Sequence, residues 1–386
     1  MVIVKEVSAK EILDSRKDKT ILVSIVTNVG SFSASAPTGK STGKHEAVPY
    51  KKSLSEDIKT LQEFSSYFSK DIIEKFDDLR RIEDIVEGHL GANTTFALES
   101  AILKALAKEQ KKEIWQLINS DANKFPRLVG NCIGGGKHSD TEGKKPDFQE
   151  FLIIPDTKTV KEAFNVLIES KKHAEYLLKK KDKNFKSKTN DENAWITSLN
   201  DKEVLDVLSE IKVPLGIDVA ASGFFKRKKY HYENPLLKRT EEEQMGYLSN
   251  ILSNYHVIYL EDPFGEDDFK SFAELRKKFP NQMIVGDDLT TTNQKRLEKA
   301  IKNKSISAII VKPNQIGSLS KVKQVCELAK KNSIKITFSH RSGETEENIL
   351  ADLAFGFQAE FLKCGITGKE REAKIKRLIE IQESLS

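Results

Sequence analysis

The sequence predicts an α/β protein in which a barrel of parallel strands and crossover helices follows a smaller α+β domain. Three observations carry this. From about residue 213, short apolar runs alternate with amphipathic segments, the pattern of parallel strands joined by crossover helices. Six such runs each end on or beside a polar residue, at intervals of 43, 26, 25, 28 and 23 residues, mostly the length of one βα unit. The texture also changes near residue 125, at Pro126 and the Gly134-Gly135-Gly136 turn, which divides the 386 residues into domains 1–125 and 126–386.

In the first domain, residues 21–27 have strand composition and 31–36 alternate polar with apolar or small residues. Asn28-Val29-Gly30 joins them as a hairpin, with glycine available for positive φ. A loop follows Pro37, and 53–118 is mostly helix, with Ile58, Leu61 and Phe64, then Leu98, Ala101, Ile102 and Ala105 at helical spacing. In the second domain the predicted strands are 213–219, 256–261, 282–287, 307–312, 334–340 and 360–363. Helices 268–279 and 319–331 fall between them.

The charge is high but balanced: 63 basic against 58 acidic residues leave +5. Balanced charge with 38% hydrophobic residues disfavours disorder. Lys and Glu interleave along most of the chain instead of forming a basic stripe, so no dedicated nucleic-acid site is expected. Cys132, Cys326 and Cys364 form no CxxC and no metal-ligand spacing, which points to reduced thiols in a cytoplasmic protein. No apolar run approaches the roughly 18 residues that span a bilayer, so no membrane is expected as a partner.

The strand-terminal residues are Asp218, Glu261, Asp287, Lys312, His340 and Lys363. In a closed barrel the C-terminal strand ends meet at one mouth. Three carboxylates gathered there repel one another unless a cation joins them. An oxygen-liking ion such as Mg²⁺ suits that set. Gly39-Lys40-Ser41 mimics the end of a phosphate-binding loop, but the glycine expected five positions earlier is Ala34, and the match fails.

Here the sequence resembles enolase, the phosphopyruvate hydratase family, over nearly its whole length. The likeness is carried by Asp14-Ser15-Arg16, Thr38–Gly43, Leu90-Gly91-Ala92-Asn93, Gly135–His138, Phe148–Phe151 and Asp191-Glu192. Stronger still are Gly216-Ile217-Asp218, Glu261–Phe264, Gly286–Thr290, Lys312–Gly317 and Ser339–Thr345. The resemblance implies a (β/α)8-type barrel and the reversible dehydration of 2-phosphoglycerate to phosphoenolpyruvate. It implies that Asp218, Glu261 and Asp287 hold one Mg²⁺, and that Ser41 helps bind a second that arrives with substrate. Lys312 would be the base and Glu192 the acid, with Glu150 assisting. His138, Gln149, Arg341, Ser342 and Lys363 would hold the substrate, with His340 close by. It also implies a homodimer.

The chemistry asks for these types. A proton α to a carboxylate leaves only if metal charge stabilises the resulting dianion. A lysine acts as base only when neutral, and burial with nearby cations is expected to depress Lys312. Hydroxide leaves poorly, so a protonated carboxyl, Glu192, is expected to supply a proton. Arg341 suits a bidentate grip on phosphate.

The chain departs from the family pattern in places. Asn193-Ala194-Trp195 replace two glycines after the acid, Lys17-Asp18-Lys19 follow Asp14-Ser15-Arg16, and Leu22 stands at an acidic position of the dimer contact. The segments Pro49–Ser55 and 139–148 are remodelled. Two alternatives stand beside the main reading: a related lyase or racemase acting on another acid, and an enolase-like binding protein without catalysis. Arg341-Ser342 argue against the first, and the filled metal and base positions against the second.

Overall fold

The hairpin forms where the strand composition places it, at Lys19–Thr27 and Gly30–Ser35, paired antiparallel from Leu22↔Ser35 to Thr27↔Gly30. The computed structural model describes residues 1–40, 43–68, 72–139 and 143–385. The long strand Val2–Leu13 pairs along the other edge of Lys19–Thr27 and carries the short Ile72–Ile73 on its far side. Val2, Val4, Ile21, Val23 and Ile25 face a helical layer and are buried. The chief member of that layer, helix Ala92–Gln110, is buried around nearly its whole girth. A helix so placed is wedged between two layers rather than lying on a surface. Its partner on one side is the sheet. On the other side Glu99 accepts the Leu319 backbone N–H at 2.6 Å, and Asn93 accepts from Asn314 at 2.9 Å.

The second part closes into an eight-stranded barrel. Its strands are Arg127–Gly134, Glu150–Ile153, Leu215–Asp218, Val257–Glu261, Met283–Gly286, Ala308–Val311, Lys335–Ser339 and Phe361–Lys363. The last pairs with the first, Leu362↔Leu128, which leaves no edge. Six strands appear within a residue or two of their predicted positions. Two went unpredicted as strands, and one of these corrects the all-parallel expectation: Glu150–Ile153 runs antiparallel to both neighbours.

Side chains inside the barrel form their own apolar cluster, among them Val129, Leu152, Tyr259, Val285, Ile310 and Phe361. The alternate residues, such as Ile217, Leu260, Ile284, Ile309 and Leu362, join the core under the helices. Burial on both faces is why these strands read as continuous apolar runs. Among the described residues no helix is long and apolar enough to cross a membrane.

Candidate active site

Strand alternation with period two determines which terminal side chains enter the mouth. Glu261 follows Tyr259 by two residues, Asp287 follows Val285, Lys312 follows Ile310 and Lys363 follows Phe361, so all four share the face of the interior cluster. Asp218 follows Gly216, where an added Cβ would press on the interior side chains Leu152 and Ile154. Glu150 comes from the opposite end of its strand. Because that strand is antiparallel and Glu150 pairs with Asp218, its first residue lies at the same mouth.

There the charges organise around two ammonium groups. Lys363 Nζ lies 2.9 Å from Asp218 Oδ2, 2.9 Å from Glu261 Oε2 and 3.2 Å from Glu150 Oε2. Lys312 Nζ pairs directly with Asp287 Oδ2. Burial, then Asp218, pushes Glu261 well above the usual carboxylate range, with Lys363 opposing. Three buried carboxyl groups crowd around this one ammonium, so oxygen donors outnumber the cation among them. This donor set fits a divalent cation with oxygen ligands.

Asp262 and Asp288 extend the acidic cluster, and ligand atoms of Asp262, Asp287 and Asp288 lie within 4.8 Å of one another. Asp262 is itself occupied: its carboxylate accepts the backbone N–H of Asp287 at 3.0 Å and of Asp288 at 2.6 Å. It therefore aims the chain that carries Asp287. Ser41 lies outside the described residues.

A second cluster surrounds Glu192. Its Oε1 lies 3.5 Å from His138 Nδ1 and 3.7 Å from His340 Nε2, and its Oε2 accepts from Asn131 Nδ2 at 3.0 Å. His138 Nδ1 also lies 3.6 Å from Glu150 Oε1. Two backbone hydrogen bonds, Gly135 N–H to Gln149 and Gly136 N–H to Pro146, bring the His138 and Gln149 segments together despite the remodelled stretch between them. Gly135 is needed there, since a Cβ would lie 2.4 Å from the Phe148 carbonyl.

Two electrostatic expectations are corrected. Burial pushes Glu192 up, but His340, His138, Arg371 and the Asn131 hydrogen bond outweigh it and hold the group below its ordinary value. The proton belongs on its neighbour instead: burial and the Glu192 charge hold Glu150 well above the usual range, against Lys363. Lys312 is not depressed. Burial, Arg341 and Lys363 favour the neutral amine, yet the pair with Asp287 outweighs them and raises it.

The loop after Glu192 accommodates its missing glycines. Asn193 adopts φ 61°, a conformation asparagine tolerates, and donates from Nδ2 to the Thr367 carbonyl at 3.1 Å. Asn190 Oδ1 accepts the N–H of Glu192 at 3.0 Å and of Ala194 at 2.9 Å. Trp195 donates from its indole to the Lys171 carbonyl at 2.9 Å.

The remaining predicted residues border the same space. Gln149, His340, Arg341 and Ser342 line a cavity of about 40 Å³ with Glu150, Glu192, Asp218, Asp287, Lys312 and Lys363, and a larger one of about 350 Å³ adjoins it at Gln149. Arg341 is engaged by Glu46 at 2.9 Å and Asn314 at 3.2 Å. Ser342 Oγ accepts the Lys40 N–H at 2.7 Å.

With this geometry in place the comparisons are direct. The family described as "Enolase, N-terminal domain" matches residues 4–118, and "Enolase, C-terminal TIM barrel domain" matches residues 123–386. The chain belongs to the enolase family. It is 34% identical to the enolase of Pyrobaculum aerophilum, covering 97% of this chain and 95% of that protein. Identity to the enolase of Sulfurisphaera tokodaii is 36%, covering 98% and 95%, and to that of Methanosphaera stadtmanae 33%, covering 99% and 97%. At this distance it is a divergent enolase, and an enzyme of the hydro-lyase class. The family resemblance found the carboxylates, lysines and histidines of the mouth. It missed Asn131, which stands in no motif, and Arg371, on the C-terminal helix Lys369–Ser384.

Proposed function

We propose that this protein catalyses the reversible, Mg²⁺-dependent dehydration of 2-phosphoglycerate to phosphoenolpyruvate. The observation that carries the reading is the division of one cavity into two chemically distinct clusters, Lys312 with Asp287 and Glu192 with Glu150 and the two histidines. α-Proton abstraction with loss of hydroxide needs a base and an acid that do not neutralise each other.

Asp218, Glu261 and Asp287 would hold one Mg²⁺, and Ser41 would help with a second. When bound, the ions supply Lewis-acid charge that stabilises the negative charge developing on the substrate carboxylate. Enolase-superfamily sites are themselves the standing example of a Lys base used with Mg²⁺. Lys312, once released from Asp287, would first give up its resting proton to solvent, and the neutral amine then takes the proton from C2 and becomes an ammonium again. The electron pair of that C–H bond moves first onto the substrate carboxylate, and in the second step returns to form the C2–C3 double bond as the C3–O bond breaks.

The departing hydroxide takes a proton from the Glu192–Glu150 pair and leaves as water. Glu150 holds that proton at rest and Glu192 faces the leaving group. Arg341 and Ser342 would grip phosphate, and His138, Gln149 and Lys363 the carboxylate and hydroxyl, with His340 beside them. A homodimer in the cytoplasm belongs to the same reading, and sedimentation would measure its mass.

Absorbance of phosphoenolpyruvate formed from 2-phosphoglycerate tests the function. A rise with Mg²⁺ that chelation abolishes is expected. A folded protein with no change at any Mg²⁺ concentration would remove the proposal.

A further inference from the structure

Arg371 is buried to 1% exposure, and both Nη nitrogens of its guanidinium are engaged by three consecutive residues of the mouth. Nη1 lies 2.6 Å from His340 Nδ1 and also donates to the Arg341 carbonyl, and Nη2 donates to the Ser342 carbonyl at 2.6 Å. A guanidinium only donates and is always charged. His340 Nδ1 facing it must therefore accept, and the proton of a neutral imidazole is left on Nε2. Nε2 is buried, has no hydrogen-bond partner among the described residues, and lies 3.7 Å from Oε1 of Glu192.

We propose that Arg371 is a positioning residue: it locks His340 in the Nε2–H tautomer, so that a neutral N–H donor faces Glu192 and the substrate oxygen beside it. The opposite tautomer would turn a lone pair toward the Glu192 carboxylate and an N–H toward a guanidinium, two repulsive contacts at a buried site. The doubly protonated ring is disfavoured as well, because burial and the Arg371 charge hold His340 well below the ordinary histidine value. The same fork fixes the main chain of Arg341 and Ser342, so one side chain from the last helix orients three neighbours in the mouth. The identity of the substrate rests on the enolase reading above; the tautomer does not.

The test is nitrogen NMR on the full-length protein labelled at histidine. Seven histidines give a short spectrum, and loss of one signal set in His340→Asn assigns His340. In the wild type Nδ1 should resonate as a bare nitrogen and Nε2 as a protonated one. Arg371→Met should shift the proton toward Nδ1 or average the two. It should also lower kcat by about ten- to a hundred-fold, the scale of removing a group that orients a site imidazole, with KM changed less. Arg371→Lys, which keeps one donor, should recover part of both effects. A wild-type His340 protonated on Nδ1, or on both nitrogens, would overturn the proposal, as would an unaltered His340 spectrum in folded Arg371→Met. If Arg371→Met does not fold, the wild-type spectrum and Arg371→Lys decide it. A wild type without turnover would defeat the enolase reading and leave the tautomer result standing.

Discussion

Lys363 Nζ meets Asp218 Oδ2 at 2.9 Å across the barrel mouth, from the eighth strand to the third. The contact joins the cluster of carboxylates through a cation the protein itself provides. Removing one partner of a buried charge cluster typically costs about 3–5 kcal/mol, because the remaining charges keep their desolvation cost. Lys363→Met should therefore lower the unfolding temperature in chelator. Added Mg²⁺ should restore more of it than it adds to the wild type. Equal Mg²⁺ effects on both proteins would show that the ion binds elsewhere.

Asp287 accepts Lys312 in this structure and is one of the three carboxylates assigned to the metal. Burial would raise it, but Lys312 holds it low, so it is ionised and ready to bind a cation. Asp287→Ala should abolish Mg²⁺ binding in calorimetry together with turnover. An unaltered binding isotherm would exclude Asp287 as a ligand.

Much of this was legible in the sequence, for a physical reason. Barrel strands are buried on both faces, so any polar residue at their ends stands out against Val, Ile and Leu, as Glu261 does after Val257–Leu260. Antiparallel Glu150–Ile153 was not legible, because four apolar-flanked residues carry no directional signal. The protonation states were not legible either, since they depend on contacts between distant segments: Lys312 with Asp287, Glu192 with Asn131. Arg371 lies in a helix rich in Lys and Glu, where one more cation looks like a solvated face until the fold buries it.

Asn190 takes on the task of shaping the Glu192 loop. Its side chain satisfies two backbone donors, and leaving a buried donor unsatisfied costs about 1–3 kcal/mol. Asn190→Ala should lose about that much stability in urea unfolding and also lower kcat. Asn193→Gly should be milder, because glycine accepts φ 61° and only the bond to Thr367 is lost. Equal damage from both would place the control of the loop elsewhere.

Asp201 opens helix Asp201–Ser209, and its Oδ1 accepts the N–H of Asp147 at 2.9 Å and of Phe148 at 3.0 Å, just before Gln149 and Glu150. Burial raises it to about 7, with Asp147 adding to the shift. The folded state therefore binds this proton more tightly than the unfolded chain. Its contribution to stability is full below the unfolded pKa near 4 and is lost as pH rises through about 7. Asp201→Asn keeps the acceptor and removes the titration, so its stability should fall less between pH 4 and 8 than the wild type's. The difference should be on the order of 2–4 kcal/mol by linkage. Parallel stability curves would show that Asp201 is not the group responsible.

The central claim is that Lys312 takes the C2 proton and the Glu192–Glu150 pair serves the other step. Exchange of the C2 proton of 2-phosphoglycerate with solvent deuterium reads the first step alone. With Mg²⁺ present, the wild type and Glu192→Gln should both exchange, Glu192→Gln without forming product, and Lys312→Ala should do neither. Exchange at the wild-type rate in Lys312→Ala would contradict the account at its first step.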